Sequence, residues 1–310
     1  MSADKKAIDA AIIGSGMAGL TAAIYCRRYM LETMVFAREL GGIITESALV
    51  ENWPGEKAIS GVELMEKVRA HAEGLGARFV FGEVKGVTGR VGDFAVALSD
   101  GTVEKATAVI LAAGSRRRTL GVPGEAEFAG RGVSYCATCD AFFFREKTVA
   151  VVGGSDSAAA SAELLSRMAE KVYILYRREH LRAEPIRVQR LEAAENVEIR
   201  YRATVAEILG EDTVTSVRLT DGKTLAVDGV FVEIGFEPAN KLAGSLGIKL
   251  DEAGFIEVDE GCRTSVPGIY AAGDVTTGTN RMRQLVTAAA EGAIAAESLF
   301  EDLAAMPLQH

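Results

Sequence analysis

The sequence predicts an α/β protein whose parallel sheets are covered on both faces, and three observations lead there. An apolar run ending in a glycine-rich turn and continuing into an apolar helical stretch occurs twice. Each is followed, 100 residues on (Gly14 to Gly114) and 82 residues on (Gly153 to Gly235), by another apolar run that stops at a glycine. Before each of those later runs stands an Asp-Gly turn between apolar segments.

In AIDAAIIGSGMAGLTAAIYC the run Ala10 to Ile13 reads as a strand, Gly14, Gly16 and Gly19 as a G-x-G-x-x-G turn, and the small and apolar residues beyond as a helix. The spacing has a mechanical basis. The first glycine permits the turn, the second lets a pyrophosphate approach the backbone, and the third lets helix and strand pack closely with the helix N-terminus facing the anion. A single match fits a plain Gly-rich turn as well. TVAVVGGSDSAAASAELL repeats the grammar with Val149 to Val152, then Gly153, Gly154, Ser155 and Ala158. Two Rossmann-like nucleotide-binding units are therefore expected, each a three-layer arrangement of helices around a sheet.

The remaining elements follow in order. Gly61 to Gly74, with Val62, Leu64, Met65 and Val68, suits an amphipathic helix. FAVALSDGTVEKATAVIL and VTSVRLTDGKTLAVDGVFV read as hairpins or meanders that precede the partner strands AVILAAG and GVFVEIG. A third run of this kind, GIYAAGDV, closes at Gly273-Asp274. The polar, Gly/Pro-bearing segments SRRRTLGVPGE and GFEPAN place domain boundaries near 117 and 240, dividing the chain into 1–116, 117–240 and 241–310.

With 310 residues, 48% hydrophobic and 25% charged, the chain can bury substantial cores. Its net charge of -9 gives no global support for phosphate attraction, so nucleic acid is not an expected partner. Lysines followed by an apolar stretch outline a signal peptide at the N-terminus, but Asp9 and three glycines interrupt it, so no export is expected. No apolar run approaches the roughly 20 residues of a spanning helix, and no membrane association is expected. Four cysteines are too few for a disulfide scaffold and point to the cytoplasm.

In the second unit the strand KVYILY leads into Arg177, Arg178 and Arg182. An NAD site usually places an acid here, whereas arginines suit a 2′-phosphate, so NADPH is expected. Glu179 and Glu184 among them leave open a solvated charged patch, and His180 reads as exposed. In the first unit TMVFAREL offers Glu39, either a ribose ligand or a surface residue, and the long GGIITESALVENWPG could lie along an extended cofactor such as FAD.

SYCATCDAFFF places Cys136 and Cys139 three positions apart with Asp140 directly after. A metal site, a crosslink and an electron-carrying dithiol all fit a C-x-x-C pair. Zinc needs four ligands, and Cys26, Cys262, His71, His180 and His310 supply no second pair, so no metal is expected. Cys26 and Cys262 read as small buried apolar residues. A close pair can exchange disulfides, Asp140 can move protons, and hydride from a nicotinamide needs a flavin to reach sulfur.

CATCD with the two Gly fingerprints, VENWPG, the Arg177-Arg178…Arg182 cluster and GIYAAGDV resembles the low-molecular-weight thioredoxin reductases over nearly the whole chain. The resemblance implies an FAD domain in two pieces with the NADPH domain inserted between them, a homodimer, and a domain rotation hinged at the two boundaries. It implies that Gly14, Gly16 and Gly19 hold the FAD pyrophosphate, that Thr45 and Asn52 lie beside the flavin, and that Asp274 binds FAD hydroxyls. Gly114 and Gly273 belong to the same cofactor segments. Arg283 and Gln284 open a helix to Phe300 whose dipole favours negative charge on reduced flavin. Gly153, Gly154, Ser155, Arg177, Arg178 and Arg182 would hold NADPH. Cys139 would face the flavin, Cys136 would attack a thioredoxin-like protein, and Asp140 would serve as acid and base. The sequence departs from the family at Ser155, commonly Gly, at Ala160-Ser161, usually an acidic pair, at Ile43, often polar, and in TGTNRMRQ, commonly ending Tyr-Arg-Gln. These bear on the electron donor and the flavin potential. Rival readings are a flavin-dependent dithiol oxidase, a reductase fed by NADH, ferredoxin or a deazaflavin, and a non-catalytic flavoprotein.

Overall fold

The computed structural model describes residues 8–47, 50–279 and 282–305. Lys5 and Lys6, part of the signal-peptide outline, lie outside them. The chain forms two compact units, one running to Arg116 and resuming at Pro238, the other Arg117–Glu237.

The first unit is built on a sheet with strands in the spatial order Arg78–Phe81, Thr33–Ala37, Ile8–Ile13, Val103–Leu111, Asp93–Leu98, Val84–Arg90. The first four are parallel and the last two join antiparallel. The Asp-Gly turn at 100–101 thus closes a hairpin in the main sheet. Val103–Leu111 serves two neighbours on one edge: its first half pairs with Asp93–Leu98, its last three residues with Ile269–Ala271 in parallel. Pattern follows position. TMVFA at 33–37 is buried throughout, as a strand covered on both faces requires, whereas Asp93–Leu98 alternates.

Small residues bring the helices close. Met17–Arg28 and Leu285–Ala304 share one core in which Ala18, Ala22 and Cys26 meet Ala295, Ala296 and Leu299. A Cβ at Gly292 would stand 2.2 Å from the Ala18 carbonyl oxygen, so that crossing needs glycine. Phe36, Phe94, Val109 and Ile248 fill the opposite face. Gly61–Gly74 is a helix capped by Ser60, whose Oγ accepts from Glu63 N at 3.1 Å. Its buried stripe is Leu64, Met65 and Ala72; Val62, read from the sequence as part of the apolar face, points outward.

The inserted unit has a five-stranded, all-parallel sheet ordered Val197–Tyr201, Lys171–Tyr176, Thr148–Gly153, Gly229–Glu233, Val133–Ser134. Its second Asp-Gly turn behaves differently from the first. Val214–Leu219 pairs on one side with Val205–Gly210 and on the other with Thr224–Ala226 in a separate antiparallel sheet. The break falls at Asp228, whose amide and carboxylate both bond Thr148 and start a new strand there. The chain passes between the units twice, where Ser115–Arg117 and Phe236–Pro238 pair. Among the described residues no helix is long and apolar enough to cross a membrane.

Arg263 anchors the last helix, donating from Nε and Nη2 to Asp302 at 2.9 Å each, and Tyr270 Oη donates to the same carboxylate at 2.7 Å. Hydrogen bonding from Arg263 holds the Asp302 carboxyl below its ordinary range. Stability from a carboxylate so lowered is complete above the unfolded value of about 4 and vanishes as pH falls through the folded one. Asp302→Asn should therefore lower stability at pH 7 by no more than about 1 kcal/mol in this partly exposed site, seen as a lower melting temperature, with the deficit shrinking in thermal melts as the pH falls below about 4.

Candidate functional site

In the first unit, Gly14 has φ +116°, and a Cβ there would lie 2.1 Å from the Ala112 carbonyl oxygen. A Cβ on Gly19 would lie 2.0 Å from the Gly14 oxygen, whereas one on Gly16 would meet nothing closer than 3.8 Å. Two glycines are needed for closure and the middle one leaves open backbone, which is the cradle a pyrophosphate needs. The helix starting at Met17 has no side-chain cap, so its first amides face that space. Ser15, buried and unremarked in the sequence, braces the turn by donating to the Glu39 carbonyl at 2.7 Å. The Glu39 carboxylate is exposed, two residues past the strand end at Ala37.

Asn52 and Gln284 come together although 232 residues apart, Asn52 Nδ2 donating to Gln284 Oε1 at 3.0 Å. Gln284 caps the Leu285–Ala304 helix in a capping box with Thr287. The Arg283 guanidinium lies over the Phe255 ring at 4.0 Å. Thr45 is half-buried, its Oγ1 donating to Gly42 O at 2.8 Å. Asp274 follows Gly273 in the closing loop; Ser115, next to Gly114, donates to its carboxylate at 3.4 Å. Burial pushes the Asp274 carboxyl above its ordinary value, against the opposing pull of Arg283. The loop rests on Glu291, 3% exposed, whose carboxylate accepts from Gly273 N at 2.7 Å, Thr276 Oγ1 at 2.9 Å and Thr279 Oγ1 at 2.8 Å. Nothing local in the sequence pointed to Glu291 except its charge in the small, apolar TAAAEGAIAA.

The inserted unit repeats the turn. A Cβ at Gly153 would lie 2.1 Å from the Glu233 carbonyl oxygen, and one at Gly154 would strike the Tyr176 ring at 2.5 Å. Ser155 is the N-cap of Asp156–Ser166 and makes no side-chain cap bond. Arg177, Arg178 and Arg182 are exposed past the tip of Lys171–Tyr176, with Arg182 N donating to Gly154 O at 2.6 Å. The acids among them are engaged elsewhere, Glu179 by Arg202 and Glu184 by Arg187. None of the three guanidinium groups joins an ion pair among the described residues, so they stand ready for an anion.

Cys136 and Cys139 are disulfide-bonded, with Cα atoms 5.4 Å apart. The pair follows Val133–Ser134, and Cys136 caps the short Ala137–Asp140 helix, its Sγ accepting from Cys139 N at 3.2 Å. Buried Ser134 is the hub: its Oγ donates to Asp140 Oδ2 at 2.7 Å and accepts from Cys136 N at 3.1 Å. Of the three aromatics that follow, Phe144 packs edge-on against Phe231 at 5.1 Å, while Phe142 and Phe143 stay exposed. The other thiols are inert by comparison. Burial pushes both Cys26 and Cys262 up to about 12. Among the described residues no group of three or more His, Cys, Asp or Glu side chains could hold a metal ion.

Two Gly-turn cradles and a disulfide at a sheet edge define a nucleotide-dependent disulfide oxidoreductase. The chain belongs to the pyridine nucleotide-disulphide oxidoreductase family, whose model matches residues 8–292. Within it the similarity is to thioredoxin reductases. That of Listeria innocua serovar 6a is 42% identical over 305 residues, covering 96% of this chain and 94% of that protein. The crystal structure of Lactococcus lactis thioredoxin reductase in the FR conformation has a TM-score of 0.92 at 37% identity, covering 96% of this chain and 100% of that one. That of T. acidophilum thioredoxin reductase has a TM-score of 0.91 at 37% identity, covering 97% and 100%.

Because Asp274 is raised by burial, its charged form opposes folding of the cofactor-free protein, and the stability held by its neutral form is lost as pH rises through the folded value. Asp274→Asn should raise the melting temperature of flavin-free protein by a few degrees at pH 7 and leave it unchanged near pH 3. Calorimetry across that range checks the sign.

Proposed function

We propose that this protein is a thioredoxin-disulfide reductase that takes electrons from NADPH and delivers them, through FAD and the Cys136–Cys139 pair, to a thioredoxin-like protein. The observation that supports this most directly is the disulfide itself, set at the C-terminal edge of a parallel nucleotide-binding sheet with an acid hydrogen-bonded beside it. FAD, when bound, supplies two-electron transfer between the pyridine nucleotide and the disulfide.

The first unit is the FAD domain. The Gly14, Gly16, Gly19 turn and the Met17 helix N-terminus hold the pyrophosphate, and Asp274, seated by Ser115 and by Glu291 beneath its loop, takes cofactor hydroxyls. Thr45, Asn52, Arg283 and Gln284 belong to the flavin end, Asn52 and Gln284 already joined. Glu39, exposed beyond its strand, is the weakest member of this set. The inserted unit is the NADPH domain, with Gly153, Gly154 and Ser155 under the pyrophosphate and Arg177, Arg178 and Arg182 at the 2′-phosphate.

The Cys139 amide aimed at Cys136 Sγ favours negative charge on that sulfur once the pair is reduced. Cys136 thiolate attacks the partner's disulfide, forming a mixed disulfide and releasing one partner thiolate. Cys139 then attacks Cys136, which frees the second partner thiolate and restores the original bond. Two electrons leave with the partner's sulfurs, and two protons follow them. Asp140, fixed by Ser134, passes those protons. Exposed Phe142 and Phe143 offer apolar contact to the arriving protein. Tyr25, Met30 and Phe300 leave apolar surface on the FAD domain that suits a homodimer, and a reducing cytoplasm suits an exchanging dithiol.

Cys136→Ser and Cys139→Ser should each cut thioredoxin-coupled disulfide reduction by on the order of a thousandfold or more while the flavin stays bound and yellow. Unchanged turnover would remove the dithiol from the route. Arg177→Ala should reduce the preference for NADPH over NADH, read as a ratio of kcat/KM, by about tenfold to a hundredfold. Stopped-flow mixing in which NADPH fails to bleach the flavin would refute the choice of donor.

A further inference from the structure

Along the C-terminal edge of the inserted sheet the strand tips stand in the order Tyr201, Tyr176, Gly153, Glu233, Ser134. From Gly153 the chain moves through Asp156–Ser166 to the Tyr176 side, and it returns on the opposite side at Gly229–Glu233. Strand order therefore reverses between Gly153 and Glu233, which are register partners. In an open sheet of this kind a dinucleotide lies across the reversal. The turn at 153–155 takes the pyrophosphate, and the arginines past Tyr176 take the adenosine half. The nicotinamide half is left with the other side, over the Glu233 tip and toward the dithiol that follows Ser134.

A carboxylate stands at that tip, in a strand otherwise made of glycine and apolar residues, GVFVE. Glu233 is 5% exposed. Ser161 Oγ, on the helix that begins beneath the pyrophosphate, donates to its Oε1 at 2.7 Å, and Arg117 Nη1 donates to its Oε2 at 3.3 Å. Burying a carboxylate costs free energy even when it is paired, and an apolar side chain at the tip would avoid that cost. The sheet itself has no use for the charge. Its two anchors fix the carboxylate on the half of the edge where the nicotinamide belongs.

We infer that Glu233, held by Ser161 and Arg117, is a positioning residue for the nicotinamide half of the pyridine nucleotide, its negative charge favouring the oxidised, cationic ring over the reduced, neutral one. The inference rests on reading this unit as the pyridine-nucleotide domain. Such a charge helps product form by stabilising the ring that has given up hydride.

Equilibrium binding to the flavin-loaded protein tests it with three probes: NADP⁺, tetrahydro-NADP as a redox-inert neutral-ring analogue, and 2′,5′-ADP, which lacks the nicotinamide half. Glu233→Gln should weaken NADP⁺ by about fivefold or more, weaken tetrahydro-NADP less, and leave 2′,5′-ADP within about twofold. Ser161→Ala should move the three in the same order by smaller factors, and it carries the comparison alone if Glu233→Gln does not fold. Equal changes for all three probes, or none, would overturn the inference while leaving the domain reading intact. A wild type that binds neither NADP⁺ nor 2′,5′-ADP would instead overturn that reading.

Discussion

One backbone contact, made twice, sets the geometry on which everything else depends. The first glycine of each turn is pressed against a carbonyl oxygen of the neighbouring strand, Gly14 on Ala112 and Gly153 on Glu233, leaving 2.1 Å where a Cβ would stand. In both units that carbonyl lies two residues before the glycine that ends the strand, Gly114 and Gly235. No side chain fits there without pushing strand and helix apart. Were they apart, the uncapped amides at Met17 and Asp156 would no longer converge on one point above the sheet edge.

From that shared frame the two units diverge in what they present. The first surrounds its turn with polar brace residues, two of them buried and Ser115 half-buried: Ser15 under Glu39, Ser115 on Asp274, Glu291 under the loop at 273–279. The inserted unit presents charge and sulfur along its edge, three exposed arginines at one end and the disulfide at the other. Its two cysteines are the only sulfurs of the four that stand outside a core, which separates an exchanging pair from a packing pair by environment alone.

What was legible in the sequence was local. Strand, turn and helix announce themselves by period and by glycine spacing, and the three glycines at 14, 16 and 19 fall into the separate steric roles that spacing suggested. The Asp-Gly turns at 100–101 and 221–222 were legible as turns, but not the sheets they would join, because that depended on the pairing of Asp228 with Thr148, 80 residues away. Side-chain hubs were invisible for the same reason. Glu233 meets residues 72 and 116 positions off, Ser15 meets one 24 off, and neither contact leaves a periodic trace. The one available signal was chemical: a lone acid inside GVFVEIG and another inside TAAAEGAIAA, each a charge in a run that should have none. Val62 misled for the opposite reason, an apolar residue at the start of a helix whose buried stripe lies elsewhere.

The packing of Met17–Arg28 against Leu285–Ala304 has a consequence for biosynthesis. More than 250 residues separate those helices, and Gly292 must reach Ala18 before that core can close. A ribosome releases the whole of Arg117–Glu237 before it releases the closing helix. The nascent chain thus finishes its internal unit while the surrounding one still waits with an open flank, and the earliest-made segment is among the last to be sealed.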